Sequence, residues 1–430
     1  VSSSSSSLTP SRPLLIAGIA LFVVLTFLRW PEILLQPSFW GEDGWNWWPE
    51  AYYYGFRSLF FPHTGYFQTD SRFIGLLASF FPLKDGPLIF AIAAFIFQVL
   101  PPAYFLSSRC AALCPSVALR FVICVVICAM PNTMEVYANL TNSQWHLAIL
   151  SFLIVAASAP RTMGGWIFDC GMLAFGALSG PYAILLLPVA AWVTWFRPDK
   201  ARLVRFAIVL CGALIQYYSI RQQARGVTTN LGANPIALAR LLGGQIVGST
   251  LLGHRRLEWL YALPLWRSNV LPWALTLVAS WLAVVASLRF RAVFLYGLFT
   301  AGVFAASLIC PVSSGDMPAW AGLARPETGV RYFYLPITFW LVVMVSLAFA
   351  GPRGWARRVS CMALAACVFI AIPGDWHIPR AVNDHFSTLA EKFETAPDGS
   401  HFTFPERPNT TFEVVRCAHR PCIESPRPGW

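Results

Sequence analysis

Two adjacent carboxylates, Glu42 and Asp43, lie in the stretch Phe39-Trp40-Gly41-Glu42-Asp43-Gly44-Trp45-Asn46-Trp47-Trp48. A carboxylate beside a substrate hydroxyl can take its proton, a general-base role worth roughly 10²–10⁴ in rate. Glycines on both sides leave the backbone open to a substrate. The run over 45–61 is aromatic with few charges, which suits a helix lying in a membrane interface. Glu42 and Asp43 would stand at its start, where free N–H groups favour negative charge. Acidic capping of that helix is the plain structural alternative. Adjacent acids bracketed by glycine are more than a cap needs.

Other polar groups are spaced along the chain. Asp70, in Thr69-Asp70-Ser71-Arg72, is a second acid, or a helix cap, or a partner for Arg72. The turn from Pro131 to His146 is crowded with amides and hydroxyls and ends in Asn142-Ser143-Gln144-Trp145-His146. Amides bond hydroxyls in both senses, and an indole face covers the C–H face of a sugar ring, so Asn142, Trp145 and His146 are candidate substrate contacts. Capping by Asn142 and an interfacial Trp145 form the alternative. Farther on come Asp316, then Arg325 and Arg331-Tyr332. An arginine where the chain re-enters a membrane can hold a phosphate bidentately while its stem packs on apolar groups. Pairing with Glu327 at helical spacing is the competing role for Arg331. His254, Arg255 and Arg256 are a solvated cluster or a second anion contact. There is no phosphate-cradling glycine loop, no serine nucleophile elbow and no histidine pair spaced for zinc.

Elements that could position these groups follow from composition. The 430 residues are 57% hydrophobic and 12% charged, with 18 Trp and 33 Phe. Mean hydropathy is +0.57. A soluble domain carries roughly a quarter charged residues, and Trp favours membrane interfaces. An all-α membrane protein is expected: a polytopic bundle of about eleven spans, each of roughly twenty apolar residues or down to about seventeen. The candidates are 13–28, 87–107, 117–130, 144–159, 164–178, 182–196, 203–220, 270–288, 292–310, 333–350 and 355–372. Stretches 72–82 and 235–252 are apolar but interrupted. An interfacial helix follows the first span. Residues 1–12 form a disordered N-terminus, 13–372 the spanning domain, and 373–430 a small exported segment in which Cys417 and Cys422 could pair.

The net charge of +11 is spread as arginine in short turns. With the N-terminus in the cytoplasm, the turns holding Arg109, Arg120, Arg161, Arg205, Arg289 and Arg357 all fall inside, as positive-inside sorting requires. The turns over 131–143 and 179–181 hold no Arg or Lys. Loops 30–86, 221–267 and 311–332 and the C-terminus then lie outside, with nearly all the acids. This describes a multi-pass protein of the inner membrane, C-terminus periplasmic or extracellular, with membrane lipids rather than nucleic acid as its surroundings.

A first span, an outer acidic loop beside an interfacial helix, and a many-span bundle resemble the GT-C class of glycosyltransferases. Glu42 and Asp43 stand where that class keeps its acidic motif, and Arg331-Tyr332 is similar to a recurring element of bacterial members. The resemblance implies inverting transfer of a sugar from a polyprenyl-phosphate donor to a glycan or lipid acceptor at the outer face. It implies Asp43 as base, with Glu42 as partner or alternate, and Arg331 with Arg325 on the departing phosphate. The chain has no Asp-x-Asp, so the identity of the base and the use of a divalent cation stay open. A flippase for lipid-linked saccharide is the main rival and would use polar residues deep in the spans: Gln98, Asp169 and Gln216. A membrane acyltransferase, or a polymerase or ligase of surface polysaccharide, is a further alternative.

Overall fold

A computed structural model describes residues 9–222, 230–311, 317–378 and 385–417. The chain is mostly helical. Helices α1 (Arg12–Arg29), α2 (Trp48–Tyr54), α3 (Thr69–Ala78), α4 (Leu83–Leu106), α5 (Val117–Cys128), α6 (Ser143–Ala156), α7 (Met163–Ala177), α8 (Tyr182–Phe196) and α9 (Lys200–Gln222) make the first half. Helices α10 (Pro235–Leu252), α11 (Val270–Arg289), α12 (Arg291–Ile309), α13 (Val330–Ala350), α14 (Trp355–Asp375) and α15 (Phe386–Thr395) follow. Strands β1 (His401–Glu406) and β2 (Thr410–Val415) close the described chain as an antiparallel hairpin, with Phe404 opposite Phe412.

Among the described residues eight helices are long and apolar enough to cross a membrane: α1, α4, α9, α10, α11, α12, α13 and α14. The expectation of about eleven also counts four shorter apolar helices, which fall below that length. Helices α5, α6, α7 and α8 have only 12, 14, 15 and 15 residues. Twelve residues reach roughly 18 Å, against a hydrocarbon core of about 30 Å. The physical cause is a loop that dips into the bundle. Ala138 N–H donates to Gln98 Oε1 at 2.8 Å, and Gln98 lies roughly 20 Å along α4 from its start. Every residue of α6 is buried, and α13 is 78% buried over its apolar window, so these two form the centre.

Helix α10, interrupted in sequence, is continuous but widened over Leu241–Gly248. Its first turns meet the start of α11: Arg240 Nε donates to Asn269 Oδ1 at 2.9 Å. A Cβ on Gly243 would meet the Pro272 carbonyl at 2.8 Å, so only glycine permits that approach. Just past its end, His254 N–H reaches Asp375, the last residue of α14, at 2.9 Å. Both ends of α10 therefore lie where α11 begins and α14 ends, and it runs across one end of the bundle.

The turns separate into two ends. At one, Asp169 accepts from Arg109 and Arg205, both at 2.6 Å, and both guanidinia also bond the Ser158 carbonyl. At the other, the acid-rich loops meet one another through Asp43–Thr141, Phe67–Gln216, Glu135–Arg331 and Asn132–Asp375 contacts.

The C-terminal segment is docked onto the loop that holds Glu42. Gly41 N–H donates to the Arg407 carbonyl at 2.9 Å, and Arg407 N–H to the Phe39 carbonyl at 3.0 Å. Trp45 Nε1 donates to the Thr411 carbonyl at 3.0 Å. Phe39 is fully buried among Phe90 of α4, Phe386 of α15 and Phe412 of β2. Such aromatic pairs contribute about 0.5–1.5 kcal/mol beyond their area. Cys417 is disulfide-bonded; Cys422 lies outside the described residues.

Candidate functional site

The acid loop begins at Gly41, whose φ of +52° is open to glycine alone at no cost. Asp43–Trp47 then form a π-helical turn that runs directly into α2. Neither acid caps it, and Glu42 makes no side-chain cap bond. The segment is not a helix lying free in the interface, because Trp48 and Tyr52 are buried against Phe393 of α15 and Trp47 is buried against Thr141, His63 and Arg72. Phe56 and Phe60 beyond it are exposed.

The two acids face different ways. Asp43 is buried and accepts three bonds: Thr141 Oγ1 at 2.8 Å, Thr141 N–H at 3.1 Å and Trp40 N–H at 3.2 Å. Burial pushes its carboxyl up to about 8, against the lowering effect of those bonds. Glu42 instead lines a cavity of about 410 Å³. Asp43 thus ties the acid loop to the 131–142 loop, and Glu42 projects from that junction. Gly44 does not leave the backbone open, as its flanking position suggested. A Cβ there would meet Glu406 Oε2 at 2.2 Å and Phe412 Cδ1 at 2.5 Å.

The cavity floor is polar. Gln68, Asn142, Gln144 and Trp145 line it, with Glu135, Arg331 and Tyr332 at one side. Gln68 Oε1, Gln144 Oε1 and Trp145 Nε1 are buried and have no hydrogen-bond partner among the described residues. Burying such groups unbonded is costly, so what fills the cavity, water or a ligand, must bond them. Asn142 Nδ2 is committed to the Glu135 carbonyl at 2.8 Å and to Asn139 Oδ1 at 3.0 Å. The Trp145 ring stands edge-on to Tyr182 and Tyr332, at 5.3 and 6.2 Å. The opposite wall is apolar: Leu185 of α8, Ile220 of α9, and Val303, Ala306 and Ile309 of α12.

Arg331 is held by Glu135, not by Glu327. Its guanidinium bonds Glu135 Oε1, and its backbone N–H donates to Oε2 at 2.9 Å. Glu327 instead faces His254 Nε2 at 3.5 Å. The lining thus carries Glu42, Glu135 and one guanidinium.

The remaining expected residues stand apart from this cavity. Asp70 is fully buried beneath it, its N–H donating to Ser179 Oγ at 3.0 Å. Burial pushes its carboxyl up to about 7. Its expected partner Arg72 bonds Glu50 instead. His146 faces away: its Nε2 donates to the Val136 carbonyl at 3.1 Å, which leaves Nδ1 to accept from Tyr334 OH at 2.8 Å. Arg325 is exposed and does not line the cavity, its carbonyl taken by Gln245. Asp316 lies outside the described residues. Among the described residues no three His, Cys, Asp or Glu side chains gather to hold a metal ion.

Sequence reasoning passed over Gln68, Gln144 and Glu135. Their signal was position: amides and an acid beside the ends of apolar helices.

No family model, curated protein or solved structure matches the chain.

Proposed function

We propose that the chain is a membrane glycosyltransferase that moves a sugar from a lipid-linked phosphate donor to an acceptor hydroxyl, with the acid-rich end of the bundle on the outer face. The observation that carries this reading is the two-sided cavity. Its polar floor presents two acceptors and an indole N–H with no partner among the described residues, as a hydroxyl-rich ring requires. Its other wall is the apolar flank of three helices, along which a lipid chain can stay in the bilayer.

In this reaction Glu42 takes the proton of the acceptor hydroxyl as its oxygen attacks the anomeric carbon. The bond from that carbon to the phosphate oxygen breaks, and the lipid phosphate leaves with the electron pair. Arg331 faces the charge that develops there. Attack opposite the leaving group inverts the anomeric centre. Asp43 acts through Glu42, as a positioning residue.

The flippase reading draws less support. Gln98 bonds Ala138, Gln216 bonds the Phe67 backbone through both ends of its amide, and Asp169 is paired with Arg109 and Arg205. Each of these deep polar groups is engaged by the protein itself.

The test is transfer of radiolabel from polyprenyl-phosphate sugars in membranes containing the chain. Glu42→Gln abolishes transfer at normal protein abundance. Transfer that survives Glu42→Gln, Asp43→Asn and their combination rules out an acid-loop base. Absence of transfer by the unaltered chain beside an active control enzyme would instead favour transport.

A further inference from the structure

Helix α3 lies across one end of the bundle, not through it. Phe67, just before it, is held at both backbone groups by Gln216, near the end of α9. Thr69 N–H donates to the Leu178 carbonyl, just past the end of α7, at 3.1 Å. At its other end the turn 79–82 leads directly into α4. Both α9 and α4 are long and apolar enough to cross a membrane, so α3 sits at the level where spanning helices stop and begin.

The two faces of α3 differ. Inward, Ile74 and Leu76 are buried, and a Cβ on Gly75 would meet the Trp47 carbonyl oxygen at 2.5 Å. Glycine there lets α3 rest directly on the backbone of the acid loop. Outward, Phe73 and Leu77 are exposed one turn apart, and Phe80 and Phe81 continue the exposed surface. Phe56 joins it with its ring 6.1 Å from that of Phe80, and Phe60 belongs to the same 55–60 turn. Phe56, Phe60 and Phe80 are 69%, 75% and 65% exposed. At roughly 200 Å² per aromatic side chain, the exposed apolar surface comes to about 600 Å², the upper end of what one patch on a soluble monomer carries.

What covers this face follows from what adjoins it. Leu88, Ile92 and Ile96, four residues apart on α4, are all exposed, and their stripe starts roughly 8 Å into the helix. On a spanning helix such a stripe meets acyl chains. The rings of Phe80 and Phe81 stand just beyond its end, at the boundary where aromatic side chains are favoured. Arg57, exposed between Phe56 and Phe60, offers a guanidinium to lipid phosphates there.

We propose that α3 and its flanking turns are a membrane-surface anchor: Phe56, Phe60, Phe73, Leu77, Phe80 and Phe81 sink into the headgroup–acyl boundary of the leaflet at the acid-rich end, and α3 holds the acid loop at that depth. The partner is the lipid surface itself. The anchor stands independently of the glycosyl-transfer reading.

The test uses the full chain in phosphatidylcholine vesicles that carry one of two photoactivatable phosphatidylcholines, with the diazirine beside the glycerol or at the end of an acyl chain. The shallow probe is expected to label 56–60 and 73–81. The deep probe is expected to label Ile92 and Ile96 instead, which lie roughly 14–20 Å along α4. Phe60→Ser combined with Phe80→Ser removes the shallow label from 56–60 and 80–81 and speeds hydrogen exchange of the 43–47 amides; unchanged exchange there overturns the holding role. A face that neither probe labels while Ile92 is labelled normally overturns the anchor, and needs no variant to fold. So does residue-to-residue crosslinking of this face to a second copy of the chain.

Discussion

Replacing each member of the acid pair by its amide separates a base from its support. Glu42→Gln removes the one acid of the pair that lines the cavity. If it takes the acceptor proton, kcat falls by roughly 10²–10⁴. Asp43→Asn is a smaller change, because burial keeps the Asp43 carboxyl protonated to about pH 8. Asparagine keeps an oxygen for Thr141 and loses only the acceptor that faces Trp40 N–H. One such bond is worth about 1 kcal/mol, or roughly fivefold in rate if all of it reached the transition state. Asp43→Ala loses three bonds and about 3 kcal/mol, and loosens the junction itself. The assay is initial-rate transfer from radiolabelled lipid-linked sugar, with limited proteolysis of the 36–54 segment run alongside. A transfer rate for Asp43→Asn as low as that of Glu42→Gln, with unchanged protease resistance, would refute the assignment and return Asp43 to the role of base.

Other outcomes follow from the same contacts. Burial pushes Asp43 and Glu406 up to about 8 from ordinary values near 4, so the folded form holds two protons that the open form releases. Stability of the junction is therefore greatest below about pH 4 and falls as pH rises to about 8; the protection factors of β2 amides, taken relative to the intrinsic exchange rate at each pH, should be smaller at pH 8.5 than at pH 5.5, and Glu406→Gln should narrow the difference. Gly44→Ala forces a methyl into Glu406 and Phe412 and should cost about 1–3 kcal/mol of hairpin docking, seen as exchange confined to 401–415; protection as in the unaltered chain would contradict it. Glu50→Ala strands Arg72, whose side chain is 1% exposed, and should destabilise the fold by about 3–5 kcal/mol, read as a lowered thermal midpoint in detergent. Gln144→Leu should raise KM for donor far more than it lowers kcat, since it removes a floor acceptor and leaves Glu42 in place; an unchanged KM would show that the floor does not meet the sugar.

Much of this architecture was legible in the residues. Long apolar runs mark α1, α4, α9 and α11 to α14 to within about four residues at each end, because hydrocarbon thickness sets the length of a spanning helix. The shortness of α5 to α8 was not legible. Nothing local distinguishes a short buried helix from the middle of a long one. The cavity residues Glu42, Asn142, Trp145, Arg331 and Tyr332 were found from chemical type. The choice between Glu42 and Asp43 was not legible. Neighbours on a helical turn point roughly 100° apart, and which one faces the cavity is set by Gly41 and by the distant Thr141. Likewise Arg331 chose Glu135 over Glu327 through a contact between residues 196 apart, where spacing rules fall silent.

The hairpin that braces the acid loop carries a timing consequence. Trp45 and the Thr411 carbonyl it grips are separated by 366 residues. Chains emerge N-terminus first, at roughly 5–20 residues per second, so Glu42 leaves the ribosome tens of seconds before its brace exists. A chain halted between the end of α14 and β2 would hold all its long helices and still lack the brace of the acid loop. Synthesis of the long helices and bracing of the acid loop are thus separate events in the life of each molecule, ordered by the direction of synthesis.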